Sequence, residues 1–214
     1  PAPADDRRRG ALPAGRGDAV TDDETQRVYA EKALDYEKLQ PDEPFPSLRA
    51  FIARLFEGAE VLDLGCGPGH DSQHMARAGL RVDALDASPE MIRLANARPG
   101  VTARLGTFDD LDAQDRYDGI WAAFSLLHAP RDAMPRHLAA IARALRPGGV
   151  LGLMLKEGAG EARDRLGRFY TYYAEPELRA LLAEAGLTVD DLGRGEGRGL
   201  DGSPSQWISV AAHA

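Results

Sequence analysis

The stretch Val61-Leu62-Asp63-Leu64-Gly65-Cys66-Gly67-Pro68-Gly69-His70 decides the fold. An apolar run feeds three alternating glycines, and a helical pattern follows. Glycine permits positive φ and lets a ligand lie against the main chain. The start of the next helix offers free N–H groups. A strand–loop–helix unit of this kind marks a nucleotide-type crevice at the carboxyl edge of the first strand of an α/β sheet.

Working outward, short apolar runs alternate with longer amphipathic ones. The short runs are Glu60–Leu64, Arg81–Leu85, Val101–Leu105, Gly119–Phe124 and Val150–Leu155. They lack strict polar alternation, as strands covered on both faces do. Helical patterns lie between and after them at Asp71–Ala78, Pro89–Ala97, Pro135–Leu145 and Glu175–Ala185. This alternation predicts an α/β, doubly wound, mostly parallel sheet with helices on both faces. Runs at Leu187–Leu192 and Gln206–Ala212 predict an antiparallel edge hairpin with a long glycine-rich linker, Gly193–Pro204. The total is seven strands. Upstream, Val28, Tyr29, Ala33 and Tyr36 recur at helical spacing until Pro41, Pro44 and Pro46 break the helix. Leu48, Phe51, Ile52 and Leu55 make a second apolar stripe.

Residues 1–20 are Pro, Ala, Gly, Arg and Asp with little to bury, and are expected to be disordered. They also have the look of sequence ahead of a natural start. Residues 21–214 are expected to form one domain, with lid helices over 21–57 and the ligand-binding sheet over 58–214. The 214 residues carry 26 Lys+Arg against 34 Asp+Glu, a net charge of −8, which disfavours nucleic-acid and anionic-membrane partners. The single Cys allows no internal disulfide, so a reducing cytoplasm is expected. No apolar run nears the roughly 18–20 residues that span a bilayer.

Glycine spacing separates two ligand classes. The dinucleotide fingerprint places its third glycine where His70 stands; here the third is Gly69. A nicotinamide-dependent oxidoreductase is therefore disfavoured. Asp63 can hold the turn by accepting backbone N–H bonds, and adds negative charge. Asp86 ends the second strand, 23 residues after Asp63, where an acid can accept both hydroxyls of a ribose. Ser88 and Pro89 then read as N-cap and first helical residue.

The chain resembles the class I S-adenosylmethionine-dependent methyltransferases. The resemblance rests on VLDLGCGPG (61–69), VDALDASPEM (82–91), GTFDDL (106–111), YDGIWAAFSLLH (117–128) and RPGGVL (146–151), in order over about residues 25–212. It is similar to small stand-alone enzymes, including the tellurite-resistance type. The resemblance implies a Rossmann-like fold and S-adenosyl-L-methionine as cofactor. It implies cofactor contacts from Tyr29, Tyr36, Asp63, Gly65, Cys66, Gly67, Gly69, Asp86, Ala87, Met91, Thr107, Phe108, Ala123 and Phe124. Gly65 and Gly67 would face the methionine part, Asp86 the ribose, Thr107 and Phe108 the adenine, and Ala123 and Phe124 the sulfonium. Tyr29 and Tyr36 match lid aromatics. Many relatives carry Asp where Thr107 stands, and Thr107 or Asp109 is a candidate substitute.

His128 follows the fourth strand, where the acceptor approaches in this family. It is a candidate general base, against the plainer reading of a packed strand-end histidine. Tyr170 and Tyr172, alternating in an extended segment, are candidate catalytic residues offering ring faces and hydroxyls; Lys156, for an acidic acceptor, and Arg168 are candidate substrate-binding residues; surface packing is the plainer reading of all four. Cys66 reads as a small residue that permits close ligand approach, not as a nucleophile. His70 and His74 have a metal-ligand spacing, yet no metal is expected. Trp121 and Trp207 read as core. The turn after the fourth strand is Ala123-Phe124-Ser125-Leu126. It lacks the Asp/Asn-Pro-Pro-aromatic signature of exocyclic-amine methyltransferases of nucleic acids. The expected partner is a small-molecule methyl acceptor, and the expected state a monomer or homodimer. A cofactor-binding protein without turnover is the non-enzymatic alternative.

Overall fold

Apolar runs, caps and glycines set the element boundaries. The computed structural model describes residues 22–39 and 42–214; segment 1–20 and Pro41 lie outside them. Asp22 caps α1 (Asp23–Glu31), its carboxylate accepting the Thr25 N–H at 2.8 Å. The expected single helix breaks at Lys32, and α2 (Ala33–Leu39) continues from there. Next come α3 (Pro46–Ala53), β1 (Glu60–Leu64), α4 (His70–Arg77) and β2 (Arg81–Asp86). Ser88 caps α5 (Pro89–Asn96), with Pro89 in its first turn. Then follow β3 (Ala103–Leu105), β4 (Tyr117–Ala123), α6 (Met134–Ala144) and β5 (Leu145–Lys156). A small hairpin, β6 (Glu161–Arg163) with β7 (Phe169–Thr171), precedes α7 (Glu175–Glu184), β8 (Thr188–Arg198) and β9 (Pro204–His213).

The seven-stranded sheet runs β3-β2-β1-β4-β5-β9-β8. All pairs are parallel except β5 with β9 and β8 with β9. The chain winds outward from β1 through β3, then returns to start again at β4. The strand order reverses between β1 and β4, and in open α/β sheets ligands bind at the carboxyl ends of strands flanking such a reversal. Leu62, Leu64, Ile120, Ala122 and Leu153 bury one face against Leu138 and Ile141 of α6 and Leu178 and Leu182 of α7. Val61, Trp121, Val150 and Met154 bury the other against Leu48 and Phe51 of α3 and Met75 of α4. Alternation along each strand decides which side chain meets which helix layer. Trp121 is 1% exposed and is core, as expected. Trp207 is half-buried, its ring set edge-on to Phe45 and Phe124.

The expected Gly193–Pro204 linker is mostly strand. Gly193 pairs with Ser209 and the ladder continues to Arg198 with Pro204. The alternate glycines are packing positions. A Cβ on Gly195 would lie 2.0 Å from the Trp207 ring, and one on Gly193 would lie 2.8 Å from Ser209 Oγ. Glycine there makes room for cross-strand side chains.

Candidate active site

The loop after β1 turns through three left-handed glycines, Gly65, Gly67 and Gly69, with φ of +81°, +52° and +80°. Each answers a different neighbour. Gly65 lies under Ser125 and Gly69 against Ala95, where a Cβ would come within 2.2 and 2.9 Å. Gly67 is open to the cavity, its nearest neighbour being the Tyr36 ring at 3.6 Å from a built Cβ. The Gly67 N–H donates to Asp86 Oδ2 at 2.8 Å, and the Ser88 N–H to Oδ1 at 2.9 Å. Asp86 thus ties the loop to the end of β2. Burial pushes its carboxyl above the usual range.

These elements line a cleft at the β1/β4 reversal, where open α/β sheets bind their ligands. It is lined by Gly65, Gly67, Asp86, Ala87 and Met91 from the first half of the sheet. Thr107 and Phe108 close one end, Ala123, Phe124 and His128 another, and Tyr29 and Tyr36 the top. Asp109 and His137 also line it. His137 had no signal in the sequence beyond a helical position on α6. Its ring meets Phe108 edge-on at 5.4 Å. The Thr107 hydroxyl is engaged in its own turn, donating to Asp110 Oδ2 at 3.0 Å.

The α1 lid is held down by the β6–β7 hairpin. Arg163 donates to both carboxylate oxygens of Asp22, at 2.6 and 2.9 Å. The Phe169 N–H donates to Thr25 Oγ1 at 2.8 Å. Arg168 donates to the Tyr29 hydroxyl oxygen at 3.0 Å, and that hydroxyl lies 2.9 Å from His128 Nε2. Tyr29 and Tyr36 pack edge-on at 5.3 Å beside Ala33, Met91 and Leu94.

His128 sits half-buried in this network. Its Nδ1 lies 2.7 Å from the Phe169 carbonyl, which has only lone pairs, so the ring proton sits on Nδ1. Nε2 then accepts from Tyr29. Burial lowers its pKa to about 4. The imidazole is neutral near pH 7, with both nitrogens engaged, which matches the packed reading more closely than a free base.

Four candidate acceptor residues do not line the cleft. The segment after β5 folds into the β6–β7 hairpin, which carries Arg168 and Tyr170 against Tyr29 and His128. Tyr170 is 3% exposed, between the His128 ring at 4.7 Å and Lys156 Nζ at 3.8 Å. Arg168 is 2% exposed, and its guanidinium bonds Asp164 at 2.6 Å. Lys156 and Tyr172 face a separate groove against the β8–β9 hairpin. Gly69 lies outside the cleft because it packs α4 against α5.

A smaller cavity continues from the cleft around the loop. It shares Tyr36, Gly65, Gly67, Ala123 and Phe124 with the cleft and adds Asp63, Cys66, His70 and Asp71. Asp63 differs from expectation: it accepts the Ser72 hydroxyl at 2.5 Å, anchoring α4 to β1. Asp71 accepts the Trp121 indole N–H at 2.7 Å. Burial, then the neighbouring Asp71, pushes Asp63 up to about 8. Asp71 is raised as well, by burial. Burial and the flanking acids push the Cys66 thiol far up, so it stays protonated and poorly nucleophilic. Phe124 adopts φ +54°, a strained value for a large side chain. Its N–H donates to the Met154 carbonyl at 2.9 Å, and its ring packs against Phe45 and Trp207. His70 Nε2 lies 2.6 Å from Arg98 Nη2, while its Nδ1 is buried without a partner. His70 is thus taken up by Arg98, and no group of three metal-ligating side chains forms among the described residues.

The raised Asp63 predicts a pH effect. Its folded pKa exceeds the ordinary 3.8, so the folded state holds a proton that the unfolded chain has lost. Stability therefore falls as pH rises from about 4 to 8. Asp63→Asn keeps an acceptor for Ser72 and removes the ionisation. Its ligand-free melting temperature is expected to exceed wild type by about 5 °C at pH 8, with the gap closing toward pH 5. Differential scanning calorimetry across that range checks it; parallel curves for the two proteins contradict it.

A methyltransferase-domain family model matches residues 61–149. The ubiquinone biosynthesis O-methyltransferase of Xanthomonas oryzae pv. oryzae (strain PXO99A) is 38% identical over 109 residues, 47% of this chain and 45% of that one. The malonyl-acyl-carrier-protein O-methyltransferase of Pectobacterium atrosepticum is 38% identical over 95 residues, 44% of this chain and 37% of that one. The chain spans less than half the length of these two curated relatives. A Burkholderia thailandensis 1,6-didemethyltoxoflavin-N1-methyltransferase was solved with 1,6-didemethyltoxoflavin and S-adenosylhomocysteine bound. It superposes with a TM-score of 0.74 at 28% identity, over 94% of this chain and 93% of that one. Fold, glycine loop and relatives agree in supporting a class I S-adenosylmethionine-dependent methyltransferase. S-adenosyl-L-methionine is the cofactor of that class.

Proposed function

We propose that this protein transfers a methyl group from S-adenosyl-L-methionine to a small-molecule acceptor by in-line displacement. One observation carries the reading. Three carboxylates, the buried Asp63 and the half-buried Asp71 and Asp86, surround an open glycine loop, and desolvation raises each. A cationic ligand seated among them lowers the cost of their ionisation. The unpartnered His70 Nδ1 and the uncovered Gly67 backbone are further polar groups that fit such a ligand.

In this reading Asp86 accepts from the ribose hydroxyls. Gly65 and Gly67 lie along the methionine part, with Asp63 and Cys66 behind them. Thr107 and Phe108 flank the adenine, with Ala87 and Met91 beside the nucleoside. Ala123 and Phe124, at the end of β4, face the sulfonium. Tyr29 and Tyr36 cover the cleft.

The bound cofactor supplies a methyl group already activated on a cationic sulfur. The protein's main task is alignment, and orientation of this kind supplies several kcal/mol. The α1 lid and the strained Phe124 bound the space where an acceptor atom would approach. His128 holds Tyr29 in place at the cleft wall.

The small-molecule acceptor is supported by a cleft enclosed beneath the chain's own lid helix. The printed names of two relatives point the same way: ubiquinone biosynthesis for one, 1,6-didemethyltoxoflavin for another. The single free Cys, which allows no internal disulfide, supports a cytoplasmic location. Among the described residues, no helix is long and apolar enough to cross a membrane.

The test is transfer of a labelled methyl group from S-adenosyl-L-methionine to a fractionated metabolite pool that includes phenols and heteroaromatic N–H compounds. Label is expected in a low-mass product. Label only in protein or nucleic acid contradicts the small-molecule reading. Cofactor binding with no transfer to any fraction favours the non-enzymatic alternative.

A further inference from the structure

We infer that His70 donates a hydrogen bond to the α-carboxylate of an S-adenosyl amino acid, and so distinguishes that ligand from adenosine thioethers lacking the amino-acid end. The inference rests on the cofactor reading above and adds a residue to it.

Arg98 Nη2 lies 2.6 Å from His70 Nε2. A guanidinium has donors and no acceptor, so Nε2 must supply the lone pair. The neutral ring then carries its proton on Nδ1. That N–H is shielded from water and has no partner. Buried polar groups in native proteins are generally satisfied, and one that is not invites a missing ligand.

Arg98 is itself firmly placed. It donates to the Pro68 carbonyl at 2.6 Å, to Glu37 at 3.1 Å and to Gln73 at 3.5 Å. Its cation against Nε2 polarises the ring and strengthens the opposite N–H as a donor. It also makes the imidazole side of the cavity favourable for an anion.

The rest of the small cavity supplies the complementary half. Asp63 and Asp71 line it with His70. Each has spent one carboxylate oxygen, on the Ser72 hydroxyl and on the Trp121 N–H respectively. Two acids beside one N–H donor suit a zwitterion: an α-ammonium near the acids, an α-carboxylate on His70. The cavity joins the main cleft at Gly65, Gly67 and Tyr36. A nucleoside held by Asp86 in the cleft therefore extends its amino-acid end around the loop into it. The His70–His74 spacing, which suggested a metal, has this use for its first member.

The experiment is calorimetric titration of wild type, His70→Ala and His70→Gln with two probes. S-adenosylhomocysteine carries the amino-acid end. 5′-Methylthioadenosine has the same nucleoside and sulfur without it. His70→Ala is expected to weaken S-adenosylhomocysteine about tenfold, the size of one hydrogen bond to a charged group. Its affinity for 5′-methylthioadenosine is expected to stay within about twofold of wild type. His70→Gln, which retains an N–H donor, should recover part of the loss. An equal loss for both probes, or no loss for either, overturns the inference. Wild type that binds 5′-methylthioadenosine but gains nothing from the amino-acid end overturns it too. Wild type that binds neither probe overturns the cofactor reading itself. Melting temperatures of the variants show that the fold is retained.

Discussion

Asp86→Ala is expected to weaken S-adenosylhomocysteine binding by at least about 100-fold, with a melting temperature only a few degrees lower. The carboxylate has two assignments. It accepts the Gly67 and Ser88 N–H groups, and it has lone pairs left for two ribose hydroxyls. Hydrogen bonds to a charged acceptor contribute about 1.5–3 kcal/mol each, so losing two costs about 3–6 kcal/mol of affinity. The structural cost is smaller, because the Gly67 and Ser88 N–H groups lie at the cleft, where water can replace the lost acceptor. Asp86→Asn should fall between: one oxygen remains, but its NH2 opposes an N–H or a hydroxyl. Calorimetry on all three proteins checks the order. Unchanged affinity in Asp86→Ala refutes the ribose assignment.

The second large effect separates two glycines that look alike in sequence. Gly65→Ala is expected to destabilise the protein by about 3–5 kcal/mol, lowering the melting temperature by roughly 10 °C. Its φ of +81° disfavours any Cβ, and that Cβ would sit 2.2 Å from Ser125 Cβ. Ser125 cannot yield easily: it is 7% exposed, and its hydroxyl donates to the Leu64 carbonyl at 2.6 Å. At Gly67 a new Cβ meets nothing closer than the Tyr36 ring at 3.6 Å. Gly67→Ala should therefore cost only about 1 kcal/mol of stability, yet obstruct the cleft and abolish most cofactor binding. Thermal unfolding and cofactor titration of both variants test this. Equal stability losses would mean that Gly65 and Ser125 are not in contact as described.

Residues at strand ends were legible because the topology alone places them. Gly65, Gly67, Asp86, Thr107, Ala123 and His128 follow β1 to β4, and the parallel order brings those ends to one cleft. The helix cap at Ser88 was legible for a local reason, a short polar side chain reaching the N–H three residues on. The 157–173 connection had no such guide. Its tyrosines alternate as in a strand, and Tyr170 and Tyr172 do share a side, 6.3 Å apart. Which way that side faces depends on the buried Arg168–Asp164 pair and on α1, neither fixed by spacing. The β8 glycines misled because glycine suggests a linker, whereas here Trp207 and Ser209 require it. The tautomer of His70, the strain at Phe124 and the place of His137 beside Phe108 arise only from tertiary contacts.

The glycine spacing and the Asp86 carboxylate suit the β1/β4 cleft to an S-adenosyl ligand and not to a dinucleotide. Calorimetric titration of the protein with S-adenosylhomocysteine and, separately, with NAD tests it most directly. The account predicts one-to-one binding of S-adenosylhomocysteine at micromolar or tighter Kd and no heat from NAD beyond dilution. Binding of NAD with none of S-adenosylhomocysteine would contradict it.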